Sequence, residues 1–434
     1  MLRRMSQVTE EPAPESAEAP ESAEAPESAQ APAPDDAPPP RRSKWKRRLG
    51  IAALSLPVLL LAGWLAVHNI PGFGPLVADT LRSVFGKEFV AWLEDTAYGI
   101  EDWILRKTKG DAPPEEMWDV PDSATPVTTP PAASASAAPA RKPDFALTNL
   151  EPMHENLATK GDGVWLPYRD PRRPDDRVRM LKAFLHPDKQ RSWAIVAIIA
   201  LDLSAVELHA VAGKYEPTSV GPEAKAYERP AKIPDSDFDR LIAAFNGGYK
   251  STHGDYGMKI DGVVLQPPRT LSCVVAKLKD GSYLIRDWDE VKEREPEMVW
   301  WRQTPVCMFD EGEPHPALSM PSMGWGASSV SKTTVIRRSA IGLNPERTIA
   351  YVAIGNHVTG RAIGEALRHA GADCIAQLDV NFSYPKFFTY EHAAASDERK
   401  LVPVPLTENF EFTDGQYVHD KSQRDFFYVT RKDD

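Results

Sequence analysis

Cysteine is scarce in this chain of 434 residues, which contains only Cys273, Cys307 and Cys374. No Cys-x-x-Cys pair occurs, so the usual thiolate metal motifs are excluded. Because three is an odd number, at least one cysteine is unpaired. The sequence leaves open whether the other two form a disulfide or remain buried free thiols. We do not expect a cysteine nucleophile.

Metal-ligand clusters and an excess of positive charge are also lacking. No group of His and Glu residues has the spacing of metal ligands, which predicts no transition-metal site and no cofactor. The formal net charge is −11, the opposite of the basic balance that binds phosphate backbones. We therefore expect no nucleic-acid partner.

Aromatic and β-branched residues are missing from 10–40, where proline, alanine and acidic residues repeat. Such a segment buries too little apolar surface to offset the entropy of ordering. We predict that residues 1–48 are a disordered cytoplasmic tail that ends in a basic block. Residues 111–143, rich in proline, alanine and serine, are predicted to be a linker.

Charge is absent from residues 49–67, a run of 19 positions that spans about 29 Å as a helix, close to the thickness of a bilayer core. Six Arg and Lys residues in 41–48 precede it and favour a cytoplasmic N-terminus. A cleaved signal peptide is the alternative, but the run is too long and no small-residue cleavage site follows. We predict a transmembrane helix at 49–70. The chain would be a single-pass protein of the inner membrane, with its C-terminal domain periplasmic or extracellular.

Apolar residues recur at helical spacing after this run, including Leu81, Phe85, Trp92 and Trp103. They predict an amphipathic juxtamembrane helix within 71–110. Three interpretations stay open: a helix on the membrane surface, a helix folded against its own domain, or a partner or self-association helix at 76–105.

Residues 144–434 have the composition of an ordinary globular domain, for which we predict an α+β fold, a mixed sheet with packed helices. Residues 234–244 predict a short helix leading into a strand, and apolar residues at helical spacing before Gly371 predict a second helix. Apolar runs predict strands at 178–185, 193–201, 205–212, 348–354 and 373–379.

Three polar groups adjoin these apolar runs, where binding groups often lie on a rigid scaffold. Asn246-Gly247-Gly248 follows one run, Arg338 opens another and Asp379 closes a third. An amide and exposed N–H groups suit an anionic or sugar oxygen, an Arg suits phosphate, and a carboxylate suits proton transfer. The alternatives are a tight turn, a solvated edge charge and a turn carboxylate.

Six motifs follow one another along the chain: 245–249 (Phe-Asn-Gly-Gly-Tyr), 257–262, 301–305, 338–342 (Arg-Ser-Ala-Ile-Gly), 364–371 and 377–379 (Gln-Leu-Asp). Their order resembles that of the phosphodiester glycosidase domain family over residues 178–388. The resemblance implies an α+β fold and hydrolysis of the bond between a sugar's anomeric carbon and a phosphodiester. It implies catalytic roles for Asp379, Arg338 and Asn246. It also implies substrate-binding roles for Gly247, Gly248, Tyr249, Asn356 and Ser383, while His253 and His357 are as readily loop residues.

The chain departs from the family pattern after Asp379. Family members have a Gly-rich, Ser-containing turn there, whereas this chain has residues 380–384 (Val-Asn-Phe-Ser-Tyr), which are bulkier. Three hypotheses follow. The chain is a membrane-anchored hydrolase that cleaves a sugar-1-phosphodiester bond in a cell-envelope glycan, an inactive module that binds glycan or sugar phosphate, or a structural assembly protein.

Overall fold

The computed structural model describes residues 83–110, 112–121, 142–318, 335–380, 383–394, 400–408 and 410–433, with single positions between 62 and 81. Asn69–Asp434 form one compact unit, separate from Met1–His68, and this unit contains all the sheets described. The predicted tail at 1–48 and most of the predicted linker at 111–143 lie outside the described residues.

The prediction of a transmembrane helix is corrected. Among the described residues, none of the helices combines the length and the apolarity needed to cross a bilayer. Most of the predicted span at 49–70 lies outside these residues. On this finding the predicted single-pass location in the inner membrane is wrong, and the cell-envelope target that depended on the anchor loses its support.

The α-helices whose bounds are described are α1 (Lys87–Lys109), α2 (Pro222–Ala226), α3 (Trp288–Val291) and α4 (Gly360–His369), and some described residues before Gly86 are also helical. α4 begins where the Thr359 side chain accepts a hydrogen bond from the Ala362 N–H at 3.0 Å, and it ends just before Gly371, whose φ is 108°. Short 3₁₀ helices lie at Glu155–Leu157, Asp235–Asp237, Ser251–His253, Lys292–Glu297 and Pro316–Leu318.

Three sheets carry the rest of the fold, and the strands pair antiparallel in each. The first has the order β1 (Leu166–Tyr168), β2 (Met180–Leu185), β3 (Ile195–Asp202), β14 (Ile349–Val358), β13 (Ile336–Leu343), β15 (Cys374–Val380), β11 (Phe309–Asp310) and β12 (Glu313–Pro314). The second has β7 (Val263–Gln266), β6 (Met258–Ile260), β10 (Met298–Thr304), β8 (Cys273–Leu278) and β9 (Tyr283–Asp287). The third has β17 (Leu401–Pro405), β16 (Phe387–His392), β5 (Leu241–Asn246), β18 (Phe426–Arg431) and β4 (Val206–Val211).

The expectation of an α+β fold is wrong, because the described structure is mostly β-sheet. Strand β3 shows the reason: alternate residues serve two cores. Ile199 and Leu201 belong to a core shared with the other two sheets, whereas Val196 and Ile198 pack in a core with α4. One face of the first sheet is thus covered by sheets rather than by helices. The helix predicted within 234–244 is a single 3₁₀ turn followed by β5.

Strand direction brings several strand ends together. The start of β13 and the end of β15 lie side by side at the same end of the first sheet, with Arg338 opposite Val380. β5 ends where β18 begins, with Asn246 opposite Phe426. The Asp379 N–H donates to the Gly247 carbonyl at 3.1 Å, so the end of β15 in the first sheet contacts the end of β5 in the third sheet.

A disulfide and an ion pair connect distant parts of the chain in the folded unit. Cys273 and Cys307 form a disulfide, and Cys374 is a buried free thiol, so the alternative of three free thiols is excluded. In α1, Asp102 accepts hydrogen bonds from Arg191 Nε at 2.7 Å and Nη2 at 2.8 Å. Phe85, Trp92 and Trp103 in and just before α1 are exposed, and self-association through 76–105 stays a prediction.

Candidate functional site

Asn246, the last residue of β5, links three chain segments through its side chain. Its Nδ2 donates to Ser339 Oγ at 2.8 Å and to its neighbour's carbonyl, and its Oδ1 accepts from the Lys386 N–H at 3.1 Å. Ser339 in turn donates to the Asp379 carbonyl at 2.9 Å. The amide, only 2% exposed, therefore has partners for both its oxygen and its nitrogen within the protein.

The N–H groups of Gly247 and Gly248 are also engaged. Gly247 N–H donates to the Asp425 carbonyl at 3.1 Å, and Gly248 N–H donates to Asp425 Oδ2 at 2.8 Å. A Cβ on Gly247 would lie 2.2 Å from Asp425 Oδ2, and one on Gly248 would lie 2.8 Å from the Arg302 guanidinium. The glycine pair is thus required by close packing, and the expectation that these amides face a ligand does not agree with their hydrogen bonds.

Arg302 brings a strand of the second sheet into the same place. Its Nε donates to Asp425 Oδ2 at 2.9 Å and its Nη2 donates to Oδ1 at 3.2 Å, with Arg302 0% and Asp425 4% exposed. Arg302 also donates to the carbonyls of Tyr249, at 2.6 Å, and Tyr256, at 2.7 Å. This two-bond ion pair joins β10 to the start of β18.

Asp379 lies next to this pair and is itself 2% exposed. Its Oδ1 accepts from the Val380 N–H at 2.9 Å, and its Oδ2 forms an ion pair with Arg424. Burial raises the pKa of Asp379 to about 6, and the charge of Arg424 opposes that rise. A carboxyl group with such a pKa can accept or donate a proton near neutral pH.

Arg424 is a second buried cation of the site. Its Nη2 donates to the Gly248 carbonyl at 3.1 Å, and its guanidinium carbon lies 3.6 Å from the centre of the Tyr384 ring. Burial raises the pKa of Tyr384 to about 12, so its hydroxyl stays neutral. Tyr384, in the segment that departs from the family pattern, therefore stacks against the cation that holds Asp379.

Arg338 and Tyr249 meet through Gln377. Arg338 donates from Nε to the Val358 carbonyl at 3.1 Å and from Nη1 to Gln377 Oε1 at 3.1 Å, and Gln377 Nε2 donates to the Tyr249 hydroxyl. Burial lowers the pKa of Arg338 to about 10, which still leaves it charged at neutral pH. The structure thus brings together the predicted residues Asn246, Arg338, Asp379 and Tyr249, whose roles stay predictions.

The remaining predicted residues lie at different places. Asn356 is half-buried and its Oδ1 accepts from Arg337 Nε at 2.6 Å. Ser383 is half-buried, and His253 is exposed in its 3₁₀ turn. His357 is half-buried with a φ of 54°, and burial lowers its pKa against the influence of Glu101.

Arg424 and Asp425 are the site residues that sequence reasoning missed. The signal that was available is the string Arg-Asp before an aromatic run at 426–428, which indicates charged groups at the start of a buried strand. In the described part of the chain, no three His, Cys, Asp or Glu side chains converge as metal ligands. The chemistry that the site offers is therefore a carboxyl group set among buried cations.

The sequence matches none of the protein-family models and none of the curated proteins with which it was compared. Among solved structures, the chain is similar to the catalytic domain of zebrafish N-acetylglucosamine-1-phosphodiester α-N-acetylglucosaminidase, auto-inhibited by its pro-peptide. The identity is 13% and the TM-score 0.37, over 60% of this chain and 85% of that chain. A hypothetical protein from Synechocystis is similar at 9% identity and a TM-score of 0.30, over 60% of this chain and 65% of that one. Both likenesses are distant, so the chemistry has to be argued from the side chains themselves.

Proposed function

We propose that this chain is a glycosidase-like hydrolase that cleaves the bond between a sugar's anomeric carbon and a phosphodiester oxygen. The observation that carries the proposal is the Asp379 carboxyl group, buried where strand ends meet and paired with the buried cation Arg424. The sequence resemblance over 178–388 points to the same reaction. Carboxyl groups supply the acid–base chemistry of most glycoside hydrolysis, and cations stabilise a departing phosphate.

The reaction needs one water molecule and one carboxylate. The water oxygen bonds to the anomeric carbon as the bond from that carbon to the phosphate oxygen breaks. The bonding electron pair leaves with the phosphate, and one water proton passes to the carboxylate of Asp379. Because phosphate is a good leaving group, no strong acid is required on the leaving side.

The other residues then have supporting roles. Arg338 is the candidate cation for the departing phosphate, since its guanidinium stays charged at neutral pH. Asn246 acts as a positioning residue: it holds Ser339, which holds the Asp379 carbonyl. The predicted role of the Gly247 and Gly248 amides as phosphate donors is left out of the proposal, because both donate to Asp425.

The test uses the full chain and a methyl phosphodiester of an N-acetylhexosamine 1-phosphate, with release of free sugar as the readout. Asp379→Asn should lower kcat/KM by about 10²- to 10⁴-fold. Asp280→Asn, which changes an exposed turn carboxylate, should leave it unchanged. For the wild type, kcat/KM should rise with pH through about 6 as Asp379 ionises. Equal activity of Asp379→Asn and wild type would reject the proposal.

A second candidate is a module that binds the sugar phosphate without cleaving it. It is favoured by the internal hydrogen bonds of Asn246, Gly247 and Gly248, which leave fewer donors for a transition state. It predicts that the same phosphodiester raises the melting temperature of the wild type while no free sugar is released. Release that depends on Asp379 would exclude it.

A further inference from the structure

Lys386 is a buried cation for which the proposed reaction has no use. The residue is 8% exposed, and its ammonium donates one hydrogen bond, to the Glu411 carbonyl at 2.6 Å. An ammonium group has three N–H donors. Among the described residues its ammonium has this one hydrogen-bond acceptor and no ion pair with a carboxylate, so two of its three donors lack an acceptor there.

Other cations and aromatic rings surround this ammonium group. The Tyr384 ring centre lies 5.9 Å from Lys386 Nζ, and Arg424 stacks on the same ring. Arg337 is 4% exposed, and its guanidinium carbon lies 5.3 Å from the centre of the Phe410 ring.

The charges of Arg337 and Arg424 both act on Lys386. The pKa of Lys386 is lowered to about 8, chiefly by burial; the half-buried Glu411 opposes this change, and the two cations contribute to it. The group is therefore still mostly charged at pH 7.

Arg337 and Arg338, at the start of β13, belong to two different sets of side-chain contacts. Arg338 contacts Gln377 and, through it, Tyr249. Its neighbour Arg337 contacts Asn356 and Phe410 instead. The strand pairing shifts register between Ile336 and Arg338, so the regular alternation of side chains is interrupted here, and the two guanidinium groups have different partners. The Asp379–Arg424 pair lies between the two sets: Arg424 and Lys386 contact the same Tyr384 ring, and Asp379 is two residues from Gln377 in β15.

We propose that Lys386, together with Arg337, binds a second phosphoryl group, so that the preferred substrate is a sugar carrying a diphosphate on its anomeric carbon. This inference rests on the proposed hydrolase function. The phosphate that leaves the anomeric carbon lies on the Arg338 side, and the next phosphate fills the acceptors that Lys386 lacks. Paired phosphates bind well where several buried cations converge. The Tyr384 and Phe410 rings offer faces for a flat group beyond the second phosphate.

The reaction keeps the same balance of atoms and electrons as hydrolysis of the phosphodiester. The anomeric carbon–oxygen bond breaks, and the whole diphosphate leaves with the bonding electron pair. Water supplies the new hydroxyl group and gives one proton to Asp379. The bond between the two phosphates stays intact, so the products are free sugar and a diphosphate ester, with no inorganic phosphate.

The experiment compares two substrates with the same N-acetylhexosamine, a nucleoside diphosphate sugar and the methyl phosphodiester. The wild type should have a kcat/KM at least about tenfold higher for the diphosphate. Lys386→Met should reduce kcat/KM for the diphosphate by about 10- to 100-fold and for the methyl phosphodiester by less than about threefold. Lys386→Arg should restore much of the loss, and Lys400→Met, an exposed lysine, should behave as wild type. Equal losses on both substrates, or no loss, would overturn the inference.

A binding measurement separates this inference from the proposed function. Inorganic diphosphate should raise the melting temperature of the wild type more than inorganic phosphate at the same concentration, and Lys386→Met should abolish the difference. If no sugar is released from either substrate, the hydrolase proposal fails, and the thermal shift alone decides the diphosphate site. The absence of any difference between the two anions in the wild type would reject that site.

Discussion

At the scale of single residues, Asp379 is subject to two opposing influences. Burial favours its neutral form, whereas Arg424 favours the carboxylate, and the first is the larger. Its pKa therefore rises from 3.8 to about 6. Between these two values the unfolded chain has lost the proton and the folded chain keeps it, so the free energy of unfolding falls as pH rises from about 4 to above 6.

Asp379→Asn should remove this pH dependence. A shift of about two pKa units corresponds to about 3 kcal/mol. The free energy of unfolding of the variant, relative to wild type, should therefore increase by up to about that amount between pH 4 and pH 8. Urea unfolding at both pH values measures the change. A difference between the two proteins that stays constant over this range would contradict the burial of a titrating carboxyl group.

The glycine pair shows what the sequence could and could not reveal at this scale. Asn-Gly-Gly after an apolar run correctly indicated a place where the backbone is approached closely. The motif could not identify the residue that approaches the backbone, because Asp425 is 177 residues away from Gly248 in the chain. Neither glycine has a positive φ, so a backbone conformation that favours glycine is not the reason for them. Only the long-range contact with Asp425 and Arg302 explains both.

At the scale of elements, strands were more accessible to prediction than the layers they form. The apolar run at 193–201 predicted β3, and the run at 373–379 predicted β15. An apolar run indicates that a strand is buried on both faces. It does not indicate whether a sheet or a helix covers each face, because both require apolar side chains. That ambiguity is why the α+β expectation failed although each of the five predicted apolar runs coincides with a strand.

The disulfide joins β8 to the chain just before β11, across a separation of 34 residues. Closing a loop of that size should stabilise the fold by roughly 3 to 4 kcal/mol through the unfolded state. Reductant should therefore lower the midpoint of urea unfolding of the wild type. The Cys273→Ala/Cys307→Ala variant should already have the lower midpoint and should not respond. A response that persists in this variant would implicate Cys374 instead.

α1 contacts the domain through an ion pair with a buried arginine: Arg191 is 3% exposed and donates to Asp102 from two nitrogens. Asp102→Asn should weaken the docking by about 1 to 3 kcal/mol. The amide hydrogens of α1 should then exchange roughly tenfold faster or more, while those of β13 keep their rates. Glu101→Gln is the matched control, since it changes the neighbouring acid. Unchanged exchange in α1 would mean that apolar contacts, rather than Asp102, hold the helix.

At the scale of the whole molecule, the three sheets meet at the candidate site. Arg302 comes from the second sheet, Asp425 precedes a strand of the third, and Asp379 belongs to the first. The same buried charges that would act on a substrate therefore also join the sheets. Function and stability are coupled here, because any change to these groups alters the packing of strand ends.

Arg302→Met should destabilise the whole domain by about 3 to 5 kcal/mol, because it leaves Asp425 buried with its cation removed. Arg294→Met provides the comparison: it breaks a pair with Glu297 in which both side chains are about half exposed, 47% and 57%, and should change the free energy of unfolding by less than about 1 kcal/mol. Urea unfolding followed by tryptophan fluorescence measures both. Similar effects of the two variants would show that burial of the Arg302–Asp425 pair has no energetic consequence.

The position of β18 has a consequence for biosynthesis. This strand comes after the others in the chain, yet it lies between β4 and β5. β5 ends at Asn246 and β18 begins at Phe426, so about 180 further residues are synthesised before β18 can pair with β4 and β5. Until then the backbone N–H and C=O groups on the facing edges of β4 and β5 are unpaired. During that interval the nascent chain exposes two templates for wrong strand pairing. The arrival of Asp425 then completes the sheet and the candidate site in one step, so a half-made chain has neither.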